Sequence, residues 1–69
     1  MRDPNRIYEV CSELARIWSK VPDWRLSQLI TNAFVIYYNR HGHDAFYVED
    51  DDFIKFLEDF IKEAIGENA

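Results

Sequence analysis

The sequence predicts an all-α protein, a three-helix bundle with a short extended segment ahead of the third helix. Three observations predict it. Apolar residues recur at i, i+3, i+4 and i+7 in three separate stretches. The two prolines and two glycines of the 69 residues lie at the borders of those stretches, not inside them. The chain is also 48% apolar and 16% aromatic, enough bulk to build one small core.

The first helix is expected over residues 4–20. Asp3 is a good N-cap, and Pro4 at the first helical position gives up an N–H that would have no helical partner. Its apolar stripe reads Ile7, Val10, Cys11, Leu14, Ile17, Trp18 and Val21. Pro22 ends it, because the residue before a proline is pushed out of the α region. A second helix is expected over 24–39, capped by Asp23, with its stripe at Leu26, Leu29, Ile30, Ala33, Phe34 and Tyr37. From Ala33 to Tyr38 this helix is apolar nearly all round, which predicts burial on two sides and a place between the other two helices.

A loop follows over residues 39–44, where Gly42 can take positive φ. Phe46-Tyr47-Val48 reads as the extended segment. The third helix is expected over 51–65, capped by Asp50 or Asp51, its carboxylates favouring the positive helix end. Its stripe is Phe53, Phe56, Leu57, Phe60, Ile61, Ala64 and Ile65, and Gly66 stops it. The expected core is Ile7, Cys11, Leu14, Trp18, Leu26, Leu29, Ile30, Phe34, Phe46, Phe53, Leu57 and Phe60. All 69 residues are expected in one domain.

The net charge of −5 is unevenly divided. Residues 1–43 hold six basic and four acidic side chains; residues 44–69 hold two and nine. An acidic helix thus follows a mildly basic hairpin. The single cysteine rules out an internal disulfide and a Cys-rich zinc site, and it fits a reducing, cytoplasmic setting. The N-terminal residues lack the apolar stretch of a secretory signal, and no apolar run approaches a membrane span, so no membrane association is expected.

The stretch Trp18-Ser19-Lys20-Val21-Pro22-Asp23-Trp24-Arg25-Leu26-Ser27-Gln28-Leu29-Ile30, with the later Phe46-Tyr47-Val48-Glu49-Asp50, resembles a pattern of small bacterial and phage proteins. It is also similar to the YihD-like proteins, which share a Pro-Asp turn leading into a Leu/Gln-rich helix. The resemblance spans most of the chain. It implies a compact, recurring domain and no chemistry.

Catalysis finds no footing. Cys11 is expected inside, no base is placed beside Ser12, Ser19 or Ser27, and no glycine-rich phosphate cradle exists. Neither an enzyme nor a cofactor is expected. His41, His43 and Asp44 could hold a metal only if Glu49 or Asp50 folded back to complete the set; a polar turn accounts for them without metal. The acidic run Glu49–Asp52 lacks the spacing of a calcium loop and reads as a helix start.

The leading expectation is a non-catalytic protein-interaction module, a small acidic regulator or inhibitor. Its contacts are expected at Trp24, Val35, Ile36, Tyr38 and Tyr47, which carry apolar groups off the main stripes, or at Asp51, Asp52, Glu58 and Asp59 on the acidic helix. The partner is expected to be a protein, with a homodimer as one form. The alternative is a helix-turn-helix-like nucleic-acid binder. Arg25, Gln28 and Asn32 would read bases from the second helix, with Arg16 and Lys20 on phosphates. The overall negative charge argues against it.

Overall fold

The computed structural model describes residues 2–66 as three helices: α1 (Arg6–Trp18), α2 (Leu26–His41) and α3 (Asp50–Ala64). Among these residues there is no strand. The extended segment expected at 46–48 is instead a turn, in which Val48 N–H donates to the Ala45 carbonyl (3.1 Å). A lone strand would have left its backbone groups without a ladder, and the turn satisfies one of them locally.

Capping chemistry sets the ends. α1 begins at Arg6, two residues later than expected, with Asn5 and not Asp3 at the capping position. Asp3 Oδ1 instead accepts the Asn5 N–H at 2.9 Å in the turn ahead of the helix, and i→i−3 bonds from Arg6, Ile7 and Tyr8 tighten the entry. The helix closes at Trp18, two residues earlier than expected. Lys20 and Val21 then make i→i−3 bonds ahead of Pro22. Asp23 does not cap α2. Arg25 holds that position with extended backbone, and its N–H donates to Gln28 Oε1 (2.9 Å), half of a capping box. Gly42, at φ 76°, ends α2 and donates to the Tyr38 carbonyl. Glu49, not Asp50 or Asp51, is the residue before α3, so Asp50, Asp51 and Asp52 all occupy its first turn.

The core consists of three i,i+4 steps: Ile17 with Val21, Leu29 with Ala33, and Leu57 with Ile61. Leu14, Trp18, Trp24, Phe53, Ile54, Phe56 and Phe60 pack around it. Five of the residues expected inside are not there. Ile7, Cys11, Leu26, Phe34 and Phe46 are exposed, the last by 79%. On α1 the buried line runs through Ile17 instead of through Ile7 and Cys11.

The arrangement explains the shift. α3, not α2, is the shared element: α1 and α2 each pack on it and touch one another only marginally. Arg6 pairs with Asp50 and Arg16 with Glu58, so α1 runs alongside α3 in the same direction. α2 lies across α3. Phe34 meets Phe53 (ring centroids 5.5 Å), yet Trp24 just before α2 reaches Phe60 (6.1 Å) and Arg40 near its end reaches Glu63. α2 is buried or half-buried along one side, at Leu29, Ile30, Ala33, Ile36 and Tyr37, and its other side stays open. The indole of Trp18 locks the corner between α1 and α2 by donating Nε1–H to the Trp24 carbonyl at 2.8 Å.

Candidate interaction surface

Charge divides the three helices. α1 and α3 carry charged residues along their whole length, and many of these meet across the α1–α3 seam. Arg2 pairs with Glu49 (3.0 Å), Arg6 with Asp50 (3.0 Å), and Arg16 with both Glu13 and Glu58 (2.6 Å each). Arg40 of α2 pairs with Glu63. The hydrogen bond from Arg16 is the main cause holding the Glu58 carboxyl below its ordinary range. Between Leu26 and Asn39, by contrast, α2 has no charged residue at all.

These pairs decide the fate of the predicted site residues. Glu58 is engaged by Arg16, and Asp59 lies 3.9 Å from Lys55. Asp51 and Asp52 remain on the surface at the start of α3. Trp24 is half-buried against the core and braces the α1–α2 corner. Ile36 is half-buried as well, while Val35 (53% exposed), Tyr38 (57%) and Tyr47 (90%) face outward. The predicted contact set therefore separates into an outward part (Val35, Tyr38, Tyr47), an inward part (Trp24, Ile36) and an acidic part in which Glu58 is held by Arg16 while Asp51, Asp52 and Asp59 stay exposed.

The nucleic-acid set fares differently. Arg25, Gln28 and Asn32 are exposed on one side of α2. Gln28 spends its carbonyl on capping the helix, and Arg16 is held between two carboxylates. Lys20 is half-buried. α1 and α2 do not form the tightly packed pair that a helix-turn-helix uses to present its second helix.

His41 and His43 gather around Tyr37. His41 stacks on it at 4.2 Å and His43 meets its edge at 5.7 Å. The carboxylates that would have completed a metal set, Glu49 and Asp50, belong to Arg2 and Arg6. Among the described residues no three His, Cys, Asp or Glu side chains gather as a metal site.

Sequence reasoning assigned Phe34 and Phe46 to the interior, and the structure adds them to the surface. Phe34 and Val35 each lie one helical turn before Tyr38 on the outward side of α2, which Ser27 and Thr31 continue. Phe34 also forms one wall of a hollow of about 200 Å³, shared with Val10, Ala45, Val48, Asp50, Phe53 and Ile54. The turn that supplies Ala45 and Val48 projects Phe46 and Tyr47 beside it, their rings edge to face at 4.9 Å. The absence of charge from 26 to 39 was the sequence signal for this surface. On a chain that is 30% charged, an uncharged helix face is not there for solvation.

The chain matches no protein-family model, no curated protein and no solved structure. Among the described residues no helix is long and apolar enough to cross a membrane.

Proposed function

We propose that this chain is a non-catalytic protein-interaction module, and that its contact surface is the uncharged outward face of α2 together with the Phe46–Tyr47 turn. The observation that carries this reading is the exposure of large aromatic and aliphatic groups on α2 and on the turn whose Ala45 and Val48 share a hollow with Phe34: Phe34, Val35, Tyr38, Phe46 and Tyr47 are each at least 48% exposed. Single exposed apolar residues are ordinary, but a joined set of large ones marks a binding surface. The acidic helix is the weaker candidate, because Glu49, Asp50, Glu58 and Glu63 are already paired with arginines of the same chain.

Two features support a binding role over a catalytic one. The hollow beside Phe34 holds only about 200 Å³, and the larger concavity of about 1230 Å³ along α1 and α3 is lined by Arg6, Arg16, Asp50 and Glu58, which are already paired with one another. No polar or charged side chain among the described residues is buried, so nothing is placed in a low-dielectric setting to do acid–base work. The lone cysteine, exposed on α1, suits the cytoplasm.

The test is capture from a nuclease-treated lysate of the source cells on immobilised protein, with Tyr38→Glu beside the parent. The expected result is a bound protein that survives salt and nuclease and is lost with Tyr38→Glu. Bound material that disappears with nuclease and weakens steeply with salt would replace this reading with nucleic-acid binding through Arg25, Gln28 and Asn32.

A further inference from the structure

We infer that the occupant of this surface is a second copy of the same chain, joined through a two-fold axis on α2, with the Phe46–Tyr47 turn of each copy seated in the hollow of the other. The inference rests on the interaction reading above and names its partner.

Two observations converge on a self-partner. The first is shape. A projecting pair of rings and an apolar hollow lie side by side on one protomer, because Ala45 and Val48 flank the rings and also line the hollow. In a two-fold interface each copy offers the same patch, so knob meets hollow twice. A foreign partner would need only one of the two. The hollow is walled by Val10, Phe34, Phe53 and Ile54, the lining that an aromatic ring prefers, and its one carboxylate, Asp50, is paired with Arg6.

The second is charge. A net charge of −5 opposes self-association, most strongly at the carboxylates of α3. α2 between Leu26 and Asn39 is the exception, since it carries no charge to set against itself. Ser27 and Thr31 add hydroxyls that can pair across an axis without introducing like charges.

The experiment is sedimentation equilibrium of the full chain over a wide concentration range, at low and high salt, with thermal melting of the same samples. The expected particle at high concentration has twice the 8.3 kDa monomer mass. The melting temperature should climb with protein concentration, as it must when association stabilises the fold. Salt should strengthen the dimer by screening the residual repulsion. Val35→Glu and Phe46→Ser, both at exposed positions, should give folded monomers, with association weakened at least tenfold. Asp59→Asn, away from the surface, should leave it unchanged.

A parent that stays monomeric at every concentration, with a melting temperature independent of concentration, overturns the inference. So does a dimer that salt breaks, or one that both surface variants leave intact. A monomeric parent that still loses a captured foreign protein through Tyr38→Glu would remove the second copy and keep the interaction module. A monomeric parent that captures nothing would remove both.

Discussion

Ile17 and Cys11 stand on the same helix, and the sequence treats them alike. Both belong to an apolar stripe at helical spacing, yet Ile17 is fully buried and Cys11 is exposed. Ile17→Ala is therefore expected to cost about 2–5 kcal/mol in urea unfolding. Cys11→Ala should stay within about 0.5 kcal/mol of the parent. An equal loss from both would return Cys11 to the core. The stripe on α1 is wider than the strip α3 can cover, and periodicity alone does not say which edge of it is used. Glu58 carries the clearest pH signature. Its carboxyl is held low first by the hydrogen bond from Arg16, against partial desolvation, with Arg16, Lys62 and Lys20 adding their charges. A carboxyl whose folded pKa is lowered stabilises fully above its ordinary value, about 4.5 here, and loses that contribution as pH falls through the lowered one. Glu58→Gln should melt below the parent at neutral pH, and the gap should close in acid. A constant gap down to pH values below that range would assign the loss to packing.

At the scale of the element, helix number and approximate span were readable, because caps and breakers are local. Asp3, Pro22, Gly42 and Gly66 all sit at or beside helix ends. Gly42 shows the mechanism most plainly. Its φ of 76° is left-handed, with open space around the missing Cβ, so only backbone strain opposes a side chain there. Gly42→Ala should cost about 1 kcal/mol in thermal unfolding, and Gly42→Asn less, since Asn tolerates this region better. The turn at 45–48 was not readable in the same way. Phe46-Tyr47-Val48 has strand composition, but a strand is defined by its neighbour, and the described residues offer none. The interaction surface was half legible. Val35, Tyr38 and Tyr47 stood off the predicted stripes, whereas Phe34 and Phe46 were assigned inward because large apolar residues are interior by default. Trp24 stood off the stripe too, and the corner bond from Trp18 drew it in.

At the scale of the whole molecule, the order of packing was the part that sequence could not give. α2 is the most uniformly apolar helix, which argued for the central place, yet α3 takes it. The reason is packing: α3 brings Leu57 and Ile61 to the core with Phe53, Ile54, Phe56 and Phe60 around them, while the surface pairs of Arg6, Arg16 and Arg40 with Asp50, Glu58 and Glu63 add only marginally. α1 and α2 then depend on α3 more than on each other. A chain ending at Val48 should be largely unfolded by circular dichroism, and a cooperative helical melt from it would show that α1 and α2 support one another directly. The Trp18–Trp24 corner has one more consequence. The only two tryptophans of the chain sit at this one place, joined by a hydrogen bond and resting against Phe60 of α3. Intrinsic fluorescence excited at the indole band is thus a local sensor. It reports the closing of one corner onto α3, while the far end of the molecule, with its turn and hollow, is optically silent and open to a probe of the experimenter's choosing.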